Sequence, residues 1–259
     1  MKIIMNLKAI PSIMPNSQAV LRISNREKGV LLLHGFKGSP FEMKYLGEKL
    51  SQQGYSISIP RLPGHGTSIA DMTRNTDRDW QTSAREALVE LKSYCNEVSV
   101  VGLSMGGILA ILLAREYTVQ KLALLSVPCS IKEKSIYLAP LVGLFKDILP
   151  GEDVTKGLVS EEARRIHESY SSGIPVKQSW HLFRLIRRGM KALPGLDSDI
   201  LLMQSRNDRV IPPHSMDYIY NAVSSQKKEK IFLGKSDHAI TADLEKEFVA
   251  QQVTAFLGR

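Results

Sequence analysis

Ser104 stands in Gly102-Leu103-Ser104-Met105-Gly106-Gly107, directly after the valine-rich run Val98–Val101 and before the apolar stretch Ile108–Tyr117. A strand, a tight turn with serine at its apex and then a helix form the setting of a nucleophile elbow. The turn must hold the serine in a strained backbone conformation so that its hydroxyl stands clear of the sheet. Gly102 and Gly106 flank it because side chains there would strike the neighbouring strand or helix. The following helix turns its positive N-terminal end toward the serine, which favours developing negative charge. The competing readings are a glycine-rich turn without chemistry and a phosphate-cradling loop. No Gly-Lys-Ser/Thr follows, and the Gly-x-Gly-x-x-Gly order of a dinucleotide site is missing, which argues against phosphate binding.

A serine hydroxyl needs a base, and the base needs an orienting partner. Four histidines follow Ser104: His167, His181, His214 and His238. His238 falls after the run Lys230–Leu233 and before the final helical pattern, at the strand edge that Ser104 occupies. It is the expected base. Asp208, in the loop after Ile200–Gln204, is the expected acid in the chain order serine, acid, histidine. Asp237 is too close to the histidine to reach round its ring, Asp197 and Asp199 precede their strand, and Asp217 lies on a helix. Two backbone N–H groups must meet the oxyanion. Met105 follows the nucleophile and supplies one; Phe36, in Leu33-His34-Gly35-Phe36, supplies the other. His34 is read as a structural histidine bonded to backbone beneath that loop.

These residues need a scaffold that brings them to one edge. Apolar runs at Val30–His34, Tyr55–Ile59, Val98–Gly102, Lys121–Val127, Ile200–Gln204 and Lys230–Leu233 alternate with helical patterns at Phe41–Gln53, Arg78–Tyr94, Ile108–Tyr117, Pro213–Val223 and Leu244–Phe256. Repeated β-α units imply a mostly parallel sheet with helices on both faces. From Cys129 to Leu196 the alternation fails, the pattern turns mostly helical, and Pro140, Pro150-Gly151, Gly173–Pro175 and Pro194-Gly195 interrupt it. Such an insertion lies over the carboxyl ends of the strands, where open α/β sheets keep their sites.

The bulk properties suit an ordinary globular chain. Its 259 residues can bury a full core, and 43% hydrophobic and 23% charged residues are unremarkable values. The formal charge of +8 is basic, but Lys and Arg are scattered and no zinc-finger, RNP or basic-zipper pattern occurs, so no nucleic-acid partner is expected. The densest group, Arg184, Arg187, Arg188 and Lys191, reads as a solvated helix face. Cys95 and Cys129 form no Cys-x-x-Cys pair. The first residues are too broken by polar groups for a secretory segment, and no stretch approaches a membrane span. A cytoplasmic location is the expectation, and no metal or organic cofactor is implied.

With the serine, the acid, the histidine and the loop in place, the chain resembles the α/β-hydrolases, and within them the small bacterial carboxylesterases and monoacylglycerol lipases. The resemblance rests on Leu32–Phe36, Pro60–Thr67, Asp79-Trp80, Gly102–Gly107, Asp208–Pro213 and Ser236–Thr241. It implies a core of residues 1–128 and 197–259, and a helical cap insertion of residues 129–196. It implies Ser104, Asp208 and His238 as a triad and Phe36 and Met105 as the oxyanion hole. The implied reaction is hydrolysis of short- to medium-chain acyl esters or monoacylglycerols through an acyl-serine. The alternatives are a thioesterase or other acyl hydrolase on the same fold, or a non-catalytic ligand-binding relative. Apolar residues of the insertion, Ile136–Leu138, Leu141, Val142, Leu144, Phe145, Ile148 and Leu149, read either as an acyl-chain lining or as packing of the insertion on the body. Thr67 and Glu168 are candidate contacts for a glycerol head, because both can bond to hydroxyls.

Overall fold

The two periodicities of the chain become a sheet with helices on both faces. The computed structural model describes residues 11–132, 134–151, 161 and 173–259. Strands β1 (Val20–Arg22), β2 (Lys28–Leu33), β3 (Ser56–Ile59), β4 (Glu97–Leu103), β5 (Lys121–Leu125), β8 (Asp199–Ser205) and β9 (Lys228–Leu233) pair in the order β1-β3-β2-β4-β5-β8-β9. The pairings from β3 to β9 are parallel, and β1 runs antiparallel on the β3 edge. This is the α/β-hydrolase architecture that the resemblance implies. β1 has no counterpart in the sequence reading. It has three residues, an edge position and side chains that are mostly exposed, so no alternation marks it.

Successive side chains of a strand point to opposite faces. On one face Leu31, Leu33, Val98, Val100, Leu122, Leu124, Ile200 and Leu202 pack under α3 (Asp77–Tyr94) and α4 (Met105–Glu116). On the other, Val30, Leu32, Val101, Leu103, Ala123, Leu125, Leu201 and Met203 pack under α1 (Phe41–Gln52) and α8 (Lys246–Gly258). α4 is buried nearly all round, from Met105 to Leu113, because α6 (Val176–Ala192) covers its outer side. The helices approach closely where a Cβ on Gly189 would come within 2.6 Å of Ile108 Cγ2. α4 starts at Met105, three residues before the apolar run that announces it, since the glycines hide its first turn.

Between β5 and β8 the described chain is less regular. It contains the short helix α5 (Ala139–Val142), the antiparallel pair β6 (Ile148–Leu149) and β7 (Ile174–Pro175), and α6. The strand pair interrupts the mostly helical pattern expected here; Pro175 ends it, leaving too short a run to read. Ile136, Ala139, Val176 and Phe183 form a small core of their own, with Val142 and Leu149 packed against it. Leu185 and Ile186 of α6 join the main core with α4. Tyr137, Leu138, Leu141, Leu144 and Phe145 are exposed, Phe145 at 82%. Tyr137 packs edge-on against Phe183, with ring centroids 5.2 Å apart.

α6 is tied to the body by polar contacts as well. Asp77, buried at the start of α3, meets His181 Nδ1 at 2.6 Å and Arg188 Nη1 at 3.5 Å. Gln178 donates to the Thr73 and Asn75 carbonyls at 2.9 and 3.0 Å. Burial pushes the Asp77 carboxyl up, but His181, Arg184 and Arg188 outweigh it and hold it below the ordinary value. The basic face of α6 is therefore solvated except where it leans on Asp77. Among the described residues no helix is long and apolar enough to cross a membrane.

The β4–α4 turn has no room for a Cβ. On Gly102 it would strike the Gly106 backbone, and on Gly106 the Leu33 carbonyl. Gly106→Ala is expected to destabilise the protein by at least about 1–3 kcal/mol. Thermal unfolding followed by circular dichroism checks this, and an unchanged Tm would contradict the packing described.

Candidate active site

Ser104 sits between β4 and α4 at φ 53° and ψ −116°, a strained conformation for a residue with a side chain. Its N–H donates to the Leu125 carbonyl of β5 at 2.8 Å, and its own carbonyl accepts from Gly107 and Ile108. The turn is thus fixed to the next strand and to the helix it starts. The positive end of α4 lies at the serine.

Asp208 follows β8. One carboxylate oxygen accepts the Val210 and Ile211 N–H groups at 2.9 and 3.1 Å, and the other meets His238 Nδ1 at 2.8 Å. The backbone bonds occupy Oδ1 and leave Oδ2 for the ring. Burial pushes the Asp208 carboxyl up, but His238 and the two N–H groups overcome this and hold it below the usual carboxylate value. Burial likewise pulls the His238 imidazole down, but the Asp208 charge outweighs it, with Glu42 and Asp237 adding, and the imidazole is raised. With Nδ1–H directed at Asp208, Nε2 is the nitrogen left to take a proton. The sequence-predicted acid and base are therefore paired, at the same strand edge as Ser104.

The loops carrying this pair are bound to each other through Asp237. Its Oδ1 accepts the Arg209 N–H at 3.1 Å and the His238 N–H at 2.9 Å, while Oδ2 takes the Arg209 guanidinium, with Nε at 2.7 Å. The Asp237 N–H donates to Asp243 at 2.8 Å, and Glu245 accepts the Lys235 and Ser236 N–H groups at 2.9 and 2.8 Å. Carboxylates after the histidine thus hold the loop before it. The sequence reading set Asp237 aside as a triad member and missed this clamp; an arginine next to the acid and an aspartate next to the base were its only signals.

The His34 ring lies beneath the Gly35-Phe36 loop, fully buried. The Leu62 N–H donates to its Nε2 at 3.2 Å, so Nδ1 carries the proton toward the Gly35 carbonyl at 3.0 Å. Burial pushes this imidazole down to about 4, so it stays neutral. Phe36 packs edge-on against Trp80, with centroids 5.7 Å apart, and Trp80 Nε1 donates to the Pro63 carbonyl at 3.1 Å. The motif residues Leu33–Phe36, Pro60–Thr67 and Trp80 thus form one support under the loop.

The proposed substrate contacts fare differently. Thr67 is buried, and its hydroxyl donates to Asp71 at 2.8 Å, so its proton is engaged within its own loop. The Ser68-x-x-Asp71 turn that starts a one-turn helix draws Thr67 inward, and its hydroxyl oxygen is left to accept, not donate, a further bond. Glu168, like His167, lies outside the described residues. Among the described residues no group of three or more His, Cys, Asp or Glu side chains is arranged to hold a metal.

The sequence pattern of the serine aminopeptidase family, S33, matches residues 24–245. The chain belongs to this family. A thermostable monoacylglycerol lipase from Bacillus sp. (strain H-257) is 32% identical over 239 residues, 91% of this chain and 92% of that one. A carboxylesterase from Bacillus subtilis (strain 168) is 26% identical over 234 residues, 90% and 93% of the two chains. A solved structure described for LipS and LipT, two metagenome-derived lipolytic enzymes, aligns with a TM-score of 0.86 at 29% identity, covering 95% of this chain and 99% of that one. The likeness covers nearly the full chain, so this S33-family hydrolase shares its fold with a lipolytic relative.

The Asp208–His238 pair sets a measurable property. Because the charged imidazolium is favoured, His238 is expected to titrate above the ordinary imidazole value of 6.5, losing its proton only as the pH rises past that point. Asp208→Asn removes the charge and is expected to lower it. Imidazole proton NMR across the pH range reads both; a wild-type value at or below that of Asp208→Asn would contradict the pairing.

Proposed function

We propose that this enzyme hydrolyses carboxylic esters through an acyl-serine intermediate. Ser104 is the nucleophile, His238 the base, Asp208 its orienting acid, and the Phe36 and Met105 amides the oxyanion donors. The observation that carries the reading is the 2.8 Å bond between Asp208 and His238 at the strand edge where Ser104 stands strained. Its relatives support an ester as substrate, being named monoacylglycerol lipase and carboxylesterase.

In this mechanism His238 Nε2 takes the proton as Ser104 Oγ attacks the ester carbonyl. Asp208 stabilises the imidazolium without taking up a proton. The carbonyl oxygen gains charge and is met by the two amides, each worth about 3–4 kcal/mol in comparable sites. His238 then protonates the departing alcohol. Water, activated by the same ring, attacks the acyl-serine and regenerates the enzyme. Residues 129–196 form the cap in this reading, with α6 as its base on the body and a short- to medium-chain acyl group or a monoacylglycerol beneath it.

Hydrolysis of p-nitrophenyl esters of increasing chain length tests the reaction and its acyl preference together. Wild-type enzyme is expected to release p-nitrophenol and to label covalently with a phosphonate probe at Ser104. Ser104→Ala is expected to lose both, with turnover falling by about 10⁴-fold or more. Turnover retained in Ser104→Ala would remove the mechanism.

A further inference from the structure

Glu42 is a buried carboxylate that the proposed chemistry leaves unused, yet it lies against the oxyanion loop. It sits in the first turn of α1 and is 5% exposed. Its Oε2 accepts the Gly35 N–H at 2.9 Å. A Cβ on Gly38 would land on this carboxylate, so the glycine leaves the space that Glu42 fills. A Cβ on Gly35 would stand 3.4 Å from Glu42 Oε2 and 3.5 Å from Ser104 Cβ, so Glu42 and the nucleophile border the same glycine. Burial pushes the Glu42 carboxyl up to about 7, while the Gly35 N–H and His238 pull the other way. The charged groups bearing on His238 are Asp208, Glu42 and Asp237.

The two peptide groups that meet at Gly35 are held separately. The peptide on its C-terminal side carries the Gly35 carbonyl and the Phe36 N–H, which point in opposite directions across one plane. That carbonyl is held by the His34 ring at 3.0 Å and by the Gly38 N–H at 3.1 Å. The peptide on its N-terminal side carries the Gly35 N–H, and Glu42 holds that. Glycine has wide backbone freedom, so bonds on one side alone do not fix the joint. An oxyanion donor has to arrive within about 2.7–3.1 Å of the developing charge, and small errors of aim are costly.

We propose that Glu42 is a positioning residue for ester hydrolysis: by holding the Gly35 N–H it locks the joint before Phe36 and so aims the Phe36 N–H at the oxygen of the substrate carbonyl. This rests on the reading of Phe36 as an oxyanion donor. Glu42 touches no reacting atom. It acts through the loop, and its charge also bears on His238 across the site.

Steady-state hydrolysis of p-nitrophenyl butyrate by wild type, Ser104→Ala, Glu42→Ala and Glu42→Gln tests the proposal, with circular dichroism as the check on folding. The wild-type and Ser104→Ala rates judge the esterase reading itself; the Glu42 variants are read only as ratios to wild type. Glu42→Ala is expected to lower kcat by roughly ten- to a hundredfold with KM within about twofold. Glu42→Gln keeps an acceptor for the Gly35 N–H, so at pH 8 its kcat is expected within about threefold of wild type. It lacks the charge, so the acidic limb of its kcat/KM profile is expected at lower pH. A kcat for Glu42→Ala equal to wild type, or a loss confined to KM, would overturn the proposal. If Glu42→Ala does not fold, Glu42→Gln decides: a large fall in kcat, or an acidic limb that stays in place, would overturn it as well.

Discussion

Backbone meets backbone at Ser104, and most of the molecule is arranged around that contact. Gly102 and Gly106 let the end of β4 and the start of α4 close on one another, and Gly106 lets the helix rest on the Leu33 carbonyl of β2. A Cβ at either glycine would lift α4 from the sheet. With α4 seated there, its N-terminus faces the site and its apolar body is buried against both α6 and the sheet. The strain at Ser104 is carried by bonds on either side: its N–H to β5 and its carbonyl to the first turn of α4. A strained residue persists only where its surroundings over-determine it, and those bonds supply that.

The other parts of the site come from separate loops, and each is held by polar groups and not by packing alone. The His34 ring and Glu42 hold the two sides of Gly35. Asp237 holds the Arg209 and His238 backbones at once, so that the loops after β8 and β9 are tied into one unit. Glu245 and Asp243 then hold that unit to the start of α8. Loops are the mobile parts of a fold, and a site assembled from them needs such second supports to keep its geometry.

Much of this was legible in the sequence. The parallel strands are short apolar runs bounded by glycine or proline, which is how a strand buried on both faces reads. Ser104, Asp208 and His238 each stand just beyond such a run, so their common edge followed from β-α alternation. Asp237 and Glu42 were illegible because their roles depend on which loops adjoin in space. Glu42 lies on a helix whose period says only that it faces inward. The bond from Thr67 to Asp71 was illegible for another reason: nothing in composition says whether a hydroxyl turns to its own loop or to a ligand. β1, β6 and β7 are too short to carry a pattern.

Charge around His238 connects these supports to the chemistry. In the proposed mechanism the imidazole is neutral before the reaction and positive during it. Asp208 favours the positive form directly, through a bond that also fixes the tautomer. Glu42 and Asp237 favour it from further away, and both are committed elsewhere, to the Gly35 N–H and to Arg209. A carboxylate satisfied by an N–H or a guanidinium can lie close to the base without competing for its proton. Asp208, Glu42 and Asp237 all act on the ring, and Asp208 bonds to its Nδ1, which in the proposed mechanism leaves Nε2 for the proton of Ser104. The carboxylates that favour the charged imidazole are in this way also the ones that bond to the loops around it.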